Sequence, residues 1–184
     1  MTTKPLEKAI FGGGCFWCTE AVFQRLRGVI RVASGYTGGV TANPTYNDLH
    51  YRQTGHVEAI QVEFDPAEIS YETLLDVFFG SHDPTTVNRQ GNDVGEEYRS
   101  VIFYSNEAQK QAADTKIRQL VTDKVFEQPI VTTVEALAQF YPAEPEQQNF
   151  YNNNPTSSYC QVIISPKIAK LRQKYAHLLK SGEA

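Results

Sequence analysis

The chain is short of the residues that hold small proteins together by covalent or metal bonds. It has three cysteines in 184 residues, Cys15, Cys18 and Cys160. So few build no disulfide framework, and an odd count leaves at least one thiol free. The histidines are scattered at 50, 56, 82 and 177, and no second close pair complements Cys15 and Cys18. A four-ligand zinc site is therefore poorly supplied. No apolar run approaches the length of a membrane span. The opening "MTTKPLEKAIF" lacks the apolar core of a secretion signal, so a cytoplasmic location is expected. A net charge of −4 gives no basic excess for a broad nucleic-acid footprint. No repeat or low-complexity linker divides the chain, so residues 1–184 are expected to form a single domain, and a monomer is the default. Hydrophobic residues at 41% and charged residues at 21% suit an ordinary globular protein with a full core.

What is present reads as strands and helices in mixture. "EKAIF" is a short strand running into Gly12, Gly13 and Gly14, and Cys15 to Arg27 is a helix that Gly28 can stop. "VIRVASGYTGG" begins as a strand, "NPTYNDLHYRQTGH" is a loop with a helical turn, and "HVEAIQVEF" is a strand closed by Asp65-Pro66. Ser70 caps a helix to Phe79, and Asn106 caps one reaching Phe126. "YRSVIFYS" and "PIVTTVEAL" are strands, "YCQVIIS" is expected as a last strand, and "PKIAKLRQKYAHLLK" is a helix with proline at its first position. The polar stretches 81–97 and 142–155 are long connections, which tend to be functional. The spacing predicts an α+β fold, a two-layer α/β sandwich.

The stretch "GGGCFWCTEAVF" is the most informative. No lysine follows the glycines as a phosphate loop needs, and Trp17 stands where a dinucleotide fingerprint needs glycine. The glycines instead deliver Cys15 to the first turn of a helix, where unpaired N–H groups favour thiolate. Cys15 is therefore expected to have a depressed pKa, against the alternative of a buried, inert cysteine. Cys18 lies three residues on, within disulfide reach at the cost of strain on a regular helix. Dithiol redox chemistry and simple packing are both open for it.

These residues carry a family resemblance. "GGGCFWCTEAVF", "SGYTGG", "NPTY", "GHVEA", "HDPT", "RQGNDVGEEYRS" and "NNNPTSSYCQ" resemble, in order, the A-type peptide methionine sulfoxide reductases over residues 8–165. The resemblance implies a two-layer sandwich around a mixed, largely antiparallel sheet with a ferredoxin-like core. It implies reduction of the S epimer of methionine sulfoxide, free or in peptides, without a cofactor or metal and with thioredoxin as the reductant. By position, Cys15 corresponds to the cysteine that attacks the sulfoxide sulfur, and Phe16 and Trp17 to the aromatics around the substrate methyl group. Tyr46, Glu58, Asp93 and Tyr98 match the polar residues around the sulfoxide oxygen, and Cys160 the resolving cysteine. Two departures stand out: Cys18 occupies a position where glycine is common, and Gln147 stands where a His-Gln pair is common.

The chemistry suits these residue types. Attack on a sulfoxide sulfur needs a strong nucleophile, and the departing oxygen needs a neutral acid. A carboxyl in an apolar pocket supplies one, because burial raises its pKa. Glu58 alternates with Val57 and Ala59 and shares a face with Ile60 and Val62, which leaves open whether it points inward. Tyr46 and Tyr98 can donate to the developing oxyanion, and Trp17 suits a methyl-sulfur group. For Asp93, an Asn-Asp turn role is also open. A second thiol must then condense with the sulfenic acid. Cys160, following the polar run "YNNNPTSS", is expected to swing in and resolve first, with the segment 142–165 mobile and Cys18 passing the disulfide on. The rival reading is a thioredoxin-like oxidoreductase using Cys15 and Cys18. It leaves Cys160, "GHVE" and "GND" without a role.

Overall fold

The computed structural model describes residues 5–184. In chain order the elements are β1 (Glu7–Gly12), α1 (Phe16–Phe23), β2 (Val29–Thr37), α2 (Tyr46–Tyr51), β3 (Val57–Phe64), α3 (Tyr71–Ser81), β4 (Arg89–Gln90), β5 (Asp93–Val94), β6 (Val101–Tyr104), α4 (Glu107–Thr122), β7 (Thr133–Ala136), β8 (Tyr141–Pro142), α5 (Phe150–Asn153) and α6 (Ser165–Tyr175). The main sheet has the order β7-β6-β1-β3-β2-β8. Every neighbouring pair in it is antiparallel except β6 with β7. The inner strands β6-β1-β3-β2, with α1 following β1 and α3 following β3, make the expected α+β, ferredoxin-like core. β4 and β5 form a separate two-residue hairpin inside the polar stretch expected to be irregular.

Alternation along the strands decides what faces what. Phe11 of β1 and Ile60, Val62 and Phe64 of β3 join the large cluster under the helices, with Phe16, Phe23 and Phe78. Ile10, Val57, Ala59, Val101 and Phe103 form a smaller cluster on the other side, covered by Leu137 and Phe140. Glu58 has the same parity as Ile60 and Val62, so it belongs to the helix side, beside α1. This settles the orientation that the sequence alternation left open.

Helix starts follow the capping chemistry. Ser70 Oγ accepts from Thr73 N–H at 3.1 Å and Asn106 Oδ1 from Gln109 N–H at 2.9 Å. Thr45 and Asp48 form a capping box that starts α2 at Tyr46. Two helices are shorter than expected: α1 ends at Phe23 and α4 at Thr122. One element is of the wrong type. "YCQVIIS", expected as a strand, is a π-helical turn over Cys160–Ile164 that runs directly into α6. Three β-branched residues invite a strand, but burial follows the helical period. Cys160, Ile164, Ile168 and Leu171 are all 4% exposed or less, while Val162 is 68% exposed. On a strand, Val162 would share a face with Cys160 and Ile164.

His82 is buried at the end of α3. Its Nδ1 lies 2.6 Å from the Phe78 carbonyl and its Nε2 2.8 Å from Ser100 Oγ. Burial pushes its pKa down to about 4 from 6.5. A depressed histidine stabilises the fold above its unfolded value and destabilises it as pH falls, because only the unfolded chain then takes up the proton. His82 is expected to cost roughly 3 kcal/mol between pH 6.5 and 4, at 1.36 kcal/mol per pKa unit. Glu20, raised by burial to about 6, acts in the opposite sense. The histidine is therefore isolated by urea unfolding of wild type and His82→Gln across this range. Parallel pH profiles for the two would show that His82 does not carry the effect.

Candidate active site

The Gly run ends in a turn that only glycine makes easily. Gly14 has φ +87, and a Cβ there would lie 2.6 Å from Gln90 Cγ. This turn leaves Cys15 at the N-cap of α1, with φ −58 and ψ 127, so that Cys15 stands just outside the helix that contains Cys18. The backbone N–H of Cys18 donates to the Cys15 carbonyl at 3.1 Å. The two thiols are neighbours, and each shifts the pKa of the other. The strain expected for a cross-link on a regular helix is thereby relaxed, because one partner is not helical.

The first N–H of α1 is not aimed at sulfur. Phe16 N–H donates to Glu58 Oε2 at 2.9 Å, and Glu58 is 1% exposed. Burial raises the Glu58 pKa against these hydrogen bonds. Cys15 differs from the sequence expectation. Burial, then the Cys18 hydrogen bond, then the Glu58 charge push its thiol well up instead of down. The helix terminus does not rescue it, since its leading donor serves Glu58. Cys18 is the thiol pulled down, by its hydrogen bond from Cys15 and by the Lys167 charge. Of the pair, Cys18 is therefore the more acidic thiol.

Tyr46, Tyr98 and Asp93 converge on the same spot from α2, from the turn before β6 and from the β4–β5 hairpin. Both tyrosines feel the charges of Glu58, Cys15 and Asp93, and burial raises both so that they stay phenols. Phe16 is fully buried, its ring 5.7 Å from Tyr36 and 6.4 Å from Tyr46. Trp17 lies parallel to Tyr46 at 6.3 Å and stacks on Phe150 at 3.7 Å. A cavity of about 300 Å³ opens beside Cys15 and Cys18, walled by Asp93, Tyr159, Ile163 and Lys167. Cys160 is fully buried next to this group, with burial raising its thiol and Cys18 as the thiol whose charge it feels.

A thiol pair, a buried carboxyl and two phenols thus meet at one site. The sequence pattern of the peptide methionine sulfoxide reductases fits residues 7–179. The chain belongs to this family. The reductase is 53% identical to the peptide methionine sulfoxide reductase MsrA of Chromobacterium violaceum over 176 residues, 96% of this chain and 100% of the relative. It is 56% identical to MsrA of Deinococcus radiodurans over 174 residues, 95% of this chain and 84% of the relative. Among solved structures, it resembles methionine sulfoxide reductase A of Corynebacterium diphtheriae, with TM-score 0.74 and 32% identity over 83% of this chain and 76% of that one. It also resembles reduced Mxr1 of Saccharomyces cerevisiae, with TM-score 0.77 and 28% identity over 85% and 90%. The chain is accordingly an enzyme that reduces methionine sulfoxide. The thioredoxin-like alternative is set aside.

Sequence reasoning missed several residues of the site. Tyr159 donates to Asp93 Oδ2 at 2.8 Å and lies 3.8 Å from Cys18 Sγ. Gln147, noted only as a departure, accepts from Trp17 Nε1 at 3.0 Å. Glu144 accepts from Tyr36 Oη and from Tyr46 N–H, both at 3.1 Å. His50 sits between Glu58 and Glu97, at 3.3 and 3.4 Å. A signal for His50 existed: it follows Tyr46 by four residues in a capped helix, on the same face.

Proposed function

We propose that Cys15 attacks the sulfoxide sulfur while Glu58 protonates the oxygen, with Tyr46 and Tyr98 hydrogen-bonding that oxygen. The observation that carries this reading is the 2.9 Å bond from Phe16 N–H to Glu58 Oε2, which ties a buried carboxyl to the residue after the nucleophile. As Cys15 attacks, its proton passes to the Cys18 thiolate. The oxygen, protonated by Glu58, leaves sulfur and stays on Cys15 as sulfenic acid, and methionine departs. Phe16 and Trp17 hold the methyl group, and Asp93, anchored by Tyr159, fixes the rim.

Cys18, in contact with Cys15, then condenses with the sulfenic acid, releasing water and forming a Cys15–Cys18 disulfide. Cys160 attacks Cys18 next, which frees Cys15 and leaves a Cys18–Cys160 disulfide for thioredoxin to reduce. The adjacency of Cys18 to Cys15 supports this order, the reverse of the one expected from sequence. Release of Cys160 needs movement within the segment 142–165, and the π-helical turn at Cys160 is a natural place for it. The substrate is the S epimer, free or in peptides, and a monomer in the cytosol suits three reduced thiols.

The test is incubation with separate S and R epimers of methionine sulfoxide and dithiothreitol. Methionine is expected from the S epimer only. Equal yield from both epimers would remove the stereochemical part of the reading, and no yield from either would remove the whole.

A further inference from the structure

The proposed cycle leaves one proton unaccounted for. In that cycle the Cys15 proton goes to Cys18, so the proton Glu58 gives to the oxygen must be replaced from outside in each turnover. Glu58 is 1% exposed, and substrate in the cavity beside Cys15 would close the water route on that side.

His50 stands on the other side. Its Nε2 is buried without an aligned hydrogen-bond partner among the described residues, and Glu58 Oε1 is 3.3 Å away. Its Nδ1 is 3.4 Å from Glu97 Oε1. The imidazole is held by Tyr46, ring to ring at 4.1 Å, with Tyr98 at 6.1 Å. Beyond it lies a surface cleft of about 410 Å³ lined by His50, Arg52, His56, Glu96 and Glu97. One ring nitrogen therefore meets the buried carboxyl, and the other meets a carboxylate bordering a separate cleft.

We propose that His50 is the positioning residue that stores and reloads the proton of Glu58. The two groups share one proton, which rests on His50 in the empty site and moves from Nε2 to Glu58 Oε1 when substrate excludes water. From Oε1 it passes to the sulfoxide oxygen as the S–O bond breaks. His50 keeps its other proton on Nδ1, toward Glu97, and regains the one at Nε2 when product leaves and water returns. This rests on Glu58 being the acid. The charges facing His50 are Glu58 from β3 and Glu97 from the turn before β6. Glu58 in turn feels His50 and Asp93. Contact with Glu58 raises the His50 pKa, which suits a group that keeps a proton at neutral pH.

A coupled pair loses its last proton at a higher pH than a lone Glu58 would. The test is the single-turnover rate against pH. In His50→Gln the high-pH limb of the profile is expected to move down by about one unit, a tenfold loss of rate above the limb. A merely structural role would lower the plateau and leave the limb in place. A second readout does not depend on that variant folding. The His50 ring, followed by NMR, is expected to titrate at lower pH in Glu58→Gln than in wild type. An unmoved limb or an unmoved titration overturns the proposal. The two failures are distinguishable. Slow turnover in Glu58→Gln with an unmoved limb in His50→Gln overturns the role of His50 alone. Full turnover in Glu58→Gln overturns the acid itself, and His50 with it.

Discussion

Glu58→Gln is expected to slow sulfenic acid formation at Cys15 by about 10²–10⁴-fold, the usual worth of a positioned acid. Glutamine has the same shape, and its Oε1 can still accept from Phe16 N–H, so the start of α1 keeps its anchor. What is lost is the proton. The sign of the pH dependence follows from burial, which raises the Glu58 pKa and extends its acid form upward from the ordinary carboxylate range. The deficit of the variant is therefore largest on the acid side of that raised value. It shrinks as pH climbs above it, because wild type then loses the same proton. Rapid mixing of reduced enzyme with methionine sulfoxide, quenched and assayed for methionine from pH 5 to 9, reads this directly. A variant as fast as wild type at the acid end would remove Glu58 from the chemistry.

The second large effect lies in the thiols. Cys15→Ser is expected to yield no methionine, since no other group is positioned to take the oxygen. The order of the other two is read by peptide mapping after one turnover without reductant. Wild type is expected to end with Cys18 joined to Cys160, and Cys160→Ser to stop at Cys15 joined to Cys18. The reasons are contact and backbone freedom. Cys15 is an N-cap with extended ψ, so a bond to Cys18 does not have to fit helical geometry at both ends. Cys160, fully buried and opening the turn into α6, has to be released before it can react. A Cys15–Cys160 bond as the product of one turnover in wild type would defeat this order.

The neighbourhood of Cys15 was legible because short-range signals agree there. A glycine turn, a cysteine and a helix start are local events, and the structure makes them as read, with Cys15 one residue outside the helix. The caps at Ser70 and Asn106 were legible for the same reason, since each depends on a side chain and an N–H three residues apart. The segment after Tyr159 was misread because local preference and burial disagree. Val162, Ile163 and Ile164 favour a strand on their own, but packing of Cys160, Ile164 and Ile168 against the helical layer requires a helix.

The electrostatics of the site could not be read locally. A cysteine at a helix start was expected to ionise early. Instead Phe16 N–H serves Glu58, and burial pushes the Cys15 thiol up while Cys18, beside Cys15 and Lys167, is pulled down. Lys167 is 149 residues from Cys18, and Tyr159, which ties Asp93 to the thiols, lies 66 residues from its partner. Sequence alone determined the family and the sheet-and-helix composition and named the candidate reactive groups, because motif, turn and cap chemistry act over a few residues. Only the tertiary structure decided which thiol is pushed up and which pulled down, which face Glu58 takes and that His50 sits beside it. Desolvation and charge coupling depend on what the fold brings within a few ångströms, whatever the separation along the chain.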